Sequence, residues 1–595
     1  MQVSGNLLNL FDRTIRFSQL TIEQGRIYHI NELGPERSGE PYLLPGFVDA
    51  HVHIESSLLT PAQFARLAVV HGTVATVSDP HEIGNVLGVK GVEYMIADGQ
   101  RTPFKFCFGA PSCVPATSFE TAGATIGVRD LRRLLGLKEI GYLAEMMNFP
   151  GVLHNDPEVM AKIALAQAFN KPIDGHAPGL RGDDAQRYID AGMSTDHECF
   201  TYDEGLDKVQ RGMNILIREG SAAKNFDALI PLLRDFPEKI MFCSDDKHPD
   251  SLVEGHINQL VKRALAQGQE LFHVLRAACL NPVLHYRLPV GLLREGDPAD
   301  FILVDDLAVF SVLKTVIQGE VVAENGISHL PDLRSEHVNQ FHCLPKKPAD
   351  FAVWLEKEDQ NADADLQSAS KTAADLQSAG NNASDEPADS KSTAAASRIA
   401  NLTQLTHPKQ LRVIEALDGQ LITNRLLLPP TLSENRLVAD VARDILKITV
   451  VNRYQNTAPA LAFIKNFGLK KGAIASSVGH DSHNIVAVGC DDESLCQAVN
   501  LVIEAKGGLS AVADPATCQL LPLPIAGLMT DGDGYTVADQ YTTIDRFVKN
   551  ELGSTLTSPF MTLSFMALLV IPSLKLSDKG LFDGQNFRFT PLMAP

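Results

Sequence analysis

Leu44-Pro45-Gly46-Phe47-Val48-Asp49-Ala50-His51-Val52-His53 is an apolar run that becomes polar only as it ends. A short apolar segment bounded by turn residues predicts a buried strand. Seven similar segments follow, at 73–79, 105–111, 142–148, 172–176, 194–198, 214–218 and 240–245. Nearly every gap between them holds an amphipathic pattern, as at 61–70, 89–97, 157–168, 184–191 and 226–234. Pro61 and Pro157 suit a first helical turn, where the missing N–H has no intrahelical partner. Eight strand–helix repeats predict a (β/α)8 barrel, with a doubly wound open sheet as the competing arrangement. The polar residues favour the barrel, because they fall at the C-terminal ends of several strands.

Outside this unit the pattern changes. Short β-like segments at 6–10, 14–20 and 26–30 precede it, and others at 301–304 and 315–318 follow it. Gly319-Glu320 marks a hairpin turn before Val321 and Val322. These predict one small flanking β-domain built from both ends, residues 1–42 and 287–345, around a barrel at 43–286. Residues 355–398 are rich in Ala, Asp, Ser, Lys and Asn and contain DLQSA twice. Such a stretch cannot bury enough apolar surface to offset its ordering entropy, and a flexible low-complexity linker is expected. Beyond it, 399–595 reads as an α/β domain, with strands at 447–451, 473–478 and 485–490 and helices at 437–444 and 493–504.

Bulk composition narrows the function. The chain has 595 residues, 45% hydrophobic and 21% charged, which suits a soluble multidomain protein. A net charge of -20, from 72 acidic and 52 basic residues, disfavours a nucleic-acid partner. No stretch of about 20 apolar residues appears, so no membrane span is expected. The nine cysteines form no CxxC pair and read as free thiols of a cytoplasmic protein.

The ends of the predicted strands carry the chemistry. His51 and His53, two residues apart on a strand, share one face. Glu145 lies on strand four, His176 ends strand five, His197 lies on strand six, and Asp245 ends strand eight. A lone strand histidine is usually structural. Burying this many ionisable groups without a cation would cost several kcal/mol each. The nitrogen and oxygen donors suit divalent Mn, Fe or Zn, and Glu145 could bridge two such ions. Asp246, next to Asp245, is expected to point the opposite way on the strand.

These residues resemble the amidohydrolase superfamily, whose first-strand signature matches Pro45–His53. Further runs are similar to the adenine deaminase family within it: HIESS at 53–57, SDPHEIGNV at 78–86, EMMNFPG at 145–151, DGHAPG at 174–179, TDHEC at 195–199, FCSD at 242–245 and HDSHN at 480–484. The resemblance covers nearly the whole chain except 355–398. It implies two Mn2+ or Fe2+ ions per subunit, one on His51 and His53 and the other on His176 and His197. Glu145 would bridge them, and Asp245 would be both ligand and general base. A metal-bridged hydroxide would attack C6 of adenine, giving hypoxanthine and ammonia in purine salvage. Glu82 and His81, after strand two, are candidates to handle a ring nitrogen, with loop-stabilising roles as the alternative; Glu55 is equally open. A homo-oligomer, a dimer, is implied as well.

Other functions stay in view. Amidohydrolases that open cyclic amides usually carry a carbamylated lysine where Glu145 stands, and 141–150 contains no lysine. Deaminases of a related purine or pterin are set aside by resemblance alone. A non-catalytic scaffold of the same fold would be expected to have lost ligands, and all six are present. The second half contributes SSVGHDSH at 476–483, two histidines near a strand end that could reach the active site, a subunit contact or only a polar turn.

Overall fold

The computed structural model describes residues 1–221, 223–354 and 410–594. The expected linker at 355–398 lies outside the described residues.

Eight parallel strands form the central sheet in sequence order. They are β1 (Phe47–Val52), β2 (Thr73–Ser78), β3 (Lys105–Ala110), β4 (Ile140–Met146), β5 (Ile173–Gly175), β6 (Thr195–Asp196), β7 (Asn214–Arg218) and β8 (Ile240–Cys243). Val52 pairs in parallel with Asp245, just past β8, which joins the two ends of the sheet. Asp245 N donates to His51 O at 2.9 Å, and His53 N donates to Asp245 O at 3.2 Å. The arrangement is therefore a TIM-like barrel. Every residue of β1, β2 and β8 is buried, as expected when helices cover one face and barrel side chains fill the other. The helices Pro61–Ala68 and Pro157–Ala168 begin at their prolines.

A second sheet draws strands from both ends of this unit, as the sequence predicts. Gln2–Asn9, Thr14–Glu23, Arg26–Pro35 and Tyr42–Pro45 join Phe301–Val304, Val312–Ile317, Glu320–Glu324 and Ile327–Ser328. The chain leaves this sheet and enters β1 at Gly46. A Cβ there would meet Val74 at 2.3 Å, so the crossing requires glycine. One continuous strand at 44–53 is thus not what forms: it divides between the two sheets at Gly46.

Residues 410–594 build a mostly antiparallel sheet. Its order runs Thr423–Leu428, Gln410–Ala416, Ala460–Lys465, Ile445–Val451, Ile485–Gly489, Ala473–Ser476, Gly508–Asp514 and Thr517–Pro522, with Met593–Ala594 paired to Gln410–Ala416. Helix Asp492–Ala505 packs Leu495, Val499 and Val502 against it.

Two helical expectations fail. Residues 437–444 form the end of a strand pair, Arg436–Leu437, and a single turn, Val441–Arg443. The Asp440 side chain accepts from Arg443 N at 3.2 Å, a local bond that competes with the helix. The helix at 226–234 is broken into Phe226–Leu229 and Leu232–Asp235, with Pro231 between them.

The C-terminal unit sits against the barrel loop that follows β1. Thr530 N donates to Leu58 O at 2.9 Å, Thr60 N donates to Thr530 O at 3.2 Å, and Arg66 pairs with Asp533 at 2.7 Å. It thereby covers the end of the barrel where the strands' C-termini lie. No helix among the described residues is long and apolar enough to cross a membrane.

Candidate metal centre and active site

All six proposed ligands converge at this covered mouth, each at or just beyond a strand end. The seam between β1 and β8 fixes the first pair. Asp49, within β1, accepts from Ser244 N at 3.0 Å, from Ser244 Oγ at 2.5 Å and from His256 Nε2 at 2.8 Å. That lock sets the height at which His51, His53 and Asp245 emerge. Asp245 adopts φ 55, the left-handed region, which costs a non-glycine residue about 1 kcal/mol or more and is common where geometry serves a site.

Glu145 stands at the centre. Its Oε1 lies 3.5 Å from His53 Nε2, while its Oε2 lies 3.0 Å from His197 Nε2 and 2.7 Å from His176 Nδ1. One carboxylate oxygen therefore faces His53, and the other faces both His176 and His197. Asp245 Oδ1 lies 3.3 Å from His53 Nε2 and 3.6 Å from His51 Nε2. The rings of His51 and His197 stack at 4.0 Å. Burial alone would raise the Glu145 carboxyl, but His176 and His197 outweigh it and hold it well below the usual range. Burial would likewise lower His176, yet Glu198 and Glu145 raise it to about 9.

The donor geometry fits a divalent metal site. His51 Nε2 and His53 Nε2 face each other at 3.2 Å, a contact in which at most one nitrogen can carry the shared proton. His51 Nδ1 and His176 Nε2 are buried without a hydrogen-bond partner. Imidazole nitrogens interleaved with carboxylate oxygens match Mn, Fe or Zn.

A layer behind the ligands holds them in place. Lys208, buried, pairs with Asp196 and donates to Glu204 at 2.9 Å and Ala177 O at 2.7 Å. It thus ties the residue before His197 to the residue after His176. Arg218, at the end of β7, is also buried. Its Nη1 donates to Asp245 Oδ2 at 2.5 Å and pairs with Glu198 Oε1, while Nη2 donates to Glu198 Oε2 at 3.0 Å. Burial would raise Asp245, and Arg218 with His51 and His53 overrides it, so the carboxyl is held well below its ordinary value.

Arg218 and Glu198 have no role in the sequence reading. Arg218 was within reach of the rule used there, since it is the last residue of a barrel strand. The expectation that Asp246 points away is not met. The strand ends at Cys243, so alternation no longer applies, and Asp246 lines the same cavity as Asp245 and accepts from Ser56 Oγ at 2.5 Å. His81 and Glu82 begin the helix His81–Leu87 after β2, and both line the cavity. His81 Nδ1 lies 3.2 Å from Asp79 Oδ2 and 3.6 Å from Glu145 Oε1. Glu55 accepts from Ile83 N at 3.1 Å, and burial pushes its carboxyl up to about 7. The remaining wall comes from the C-terminal unit, through Leu421, His480, Asp481, Phe565 and Leu568.

A barrel with these donors at its strand ends is the architecture of a metal-dependent amidohydrolase. Residues 42–322 match the amidohydrolase family, and residues 420–588 match the adenine deaminase C-terminal domain. The chain is 51% identical to an adenine deaminase of Sulfurovum sp. (strain NBC37-1), over 99% of both chains. It is also 51% identical to one of Salinibacter ruber, over 99% of this chain and 98% of the relative. A Methanosarcina mazei adenine deaminase is 47% identical over 99% of both. The chain belongs to the adenine deaminase family.

Proposed function

We propose that this protein hydrolyses adenine to hypoxanthine and ammonia, in purine salvage, with two Mn2+ or Fe2+ ions. His51 and His53 would hold one ion and His176 and His197 the other, with Glu145 between them and Asp245 as a further ligand. Cations bound there would acidify water and supply a nucleophile at neutral pH. The carrying observation is that one oxygen of Glu145 faces His53 and the other faces His176 and His197, in a chain that aligns end to end with adenine deaminases.

The proton balance assigns work to the chain's own residues. Water adds to C6, and the exocyclic amine leaves. One water proton ends on the departing ammonia and the other on a ring nitrogen, N1 of the product. Asp245 is placed for the first transfer. Its ion pair with Arg218 favours the carboxylate, and its other oxygen faces the histidines. Glu82 and His81 are proposed for the second, at the ring nitrogen. His81 is raised well above its ordinary value by Asp79 and Glu82 against the effect of burial, so it presents a cation to a ring that gains electron density. The cysteines are all free, and we place the enzyme in the reducing cytoplasm.

The test is ammonia release from adenine, adenosine, guanine and cytosine by metal-loaded protein. Adenine is the expected substrate. Turnover of another base with adenine inert would overturn the reading.

A further inference from the structure

The mechanism leaves two buried histidines unused. His480 and His483 lie on the loop after Ala473–Ser476 in the C-terminal unit, and both reach across to Glu82 on the barrel. His480 Nδ1 contacts Glu82 Oε1, and His483 Nε2 contacts Glu82 Oε2. Each carboxylate oxygen therefore has its own imidazole. The loop is tied down on all sides. Tyr454 OH donates to Ser482 O at 2.6 Å, Asn484 Nδ2 donates to Thr121 O at 2.9 Å, and His480 N donates to Ser564 O at 3.1 Å. The His480 ring stacks on Phe565 at 4.7 Å.

Two histidines and a carboxylate could instead mark another cation site. The tautomer of His483 argues against it. Gly479 N donates to His483 Nδ1 at 3.3 Å, and a backbone N–H can only donate. Nδ1 is therefore bare, and the ring proton sits on Nε2, the atom that faces Glu82. A ligand would need a bare Nε2, which would leave a protonated Nδ1 against the Gly479 N–H.

We infer that His480 and His483 are positioning residues that hold the two oxygens of Glu82 in the orientation needed at the substrate's ring nitrogen, so that the active site is assembled from both the barrel and the C-terminal unit. This rests on the role proposed for Glu82. His483→Phe in the metal-loaded full chain is expected to lower kcat for adenine by about 10- to 100-fold, the loss of one hydrogen bond to a charged group. KM should shift little, with metal content and melting temperature retained. His483→Gln, which restores an N–H donor, should recover most of the rate. In a Glu82→Gln background, His483→Phe should have no further effect. His480→Phe keeps the stacking on Phe565 and serves as the second variant if His483→Phe does not fold. Unchanged kcat in the His483 and His480 variants, additive losses with Glu82→Gln, or loss of bound metal in His483→Gln would each overturn the inference. Normal kcat in Glu82→Gln alone would instead remove the role proposed for Glu82.

Discussion

Two groups of histidines meet at this site, and they differ in what holds them. His51, His53, His176 and His197 stand at or just past barrel strand ends, and their nitrogens surround Glu145 or one another. His480 and His483 stand on a loop of another unit, and each meets one oxygen of the Glu82 carboxylate. His51 Nδ1 and His176 Nε2 are left without partners in the first group and His480 Nε2 in the second, whereas His483 has both ring nitrogens engaged. Equally buried imidazoles are thus placed for two proposed tasks by the element that carries them: those at the strand ends gather around Glu145, where a cation is proposed, and those on the loop meet Glu82.

The largest effect that sharpens this contrast is at Asp245, the proton carrier proposed on the barrel side. Asp245→Asn should lower kcat by about 10²- to 10⁴-fold with the circular dichroism spectrum unchanged. Near-normal turnover would remove Asp245 from the proton path.

Next in size is Arg218→Met. It leaves Asp245 and Glu198 buried without their partner, and it should cost about 3–5 kcal/mol of unfolding free energy in urea titration. A loss below 1 kcal/mol would mean that the pair is not structurally important.

The contrast itself is tested by metal affinity. His197→Ala should weaken metal binding at least as much as losing an outer partner does, about 10- to 100-fold, while His480→Phe leaves it unchanged. Equal losses in the two variants would erase the distinction between the groups. Chelation of the wild type should abolish ammonia release and lower the melting temperature, because a ligand that binds only the native state stabilises it.

The smallest effect lies beneath the loop. Lys575 is fully buried, donates to Leu421 O at 2.7 Å and Phe565 O at 2.9 Å, and burial pushes its ammonium down to about 7. Its unfolded value is about 10.4. Between those values the unfolded chain binds more protons, so stability should rise from pH 7 toward pH 10. The two carbonyl contacts favour the charged form and so oppose this shift. Lys575→Met should flatten that slope in denaturation curves measured across this range; an unchanged slope would place the titration elsewhere.

How far the sequence could be read follows from the same physics. The barrel was legible because a buried strand must be apolar along its length, so polar residues at its end stand out. His51, His53, Glu145, His176, His197 and Asp245 were found that way. Asp246 was misread because period-two alternation holds only while the strand lasts, and this one stops at Cys243. Arg218 ended a recognised strand but was passed over; its meaning depends on Glu198, twenty residues away. The segment 437–444 had an apolar pattern, but a local side-chain bond from Asp440 competes there with the helix.

What the sequence determined by itself was the periodic part: eight apolar strands, their polar ends, and hence a barrel whose donors share one rim. Only the tertiary structure decided that the loop at 480–483 folds over that rim and meets Glu82, some 400 residues earlier in the chain. A strand fixes its side chains' direction by local geometry. A loop takes its direction from whatever it packs against, and no local pattern encodes that partner.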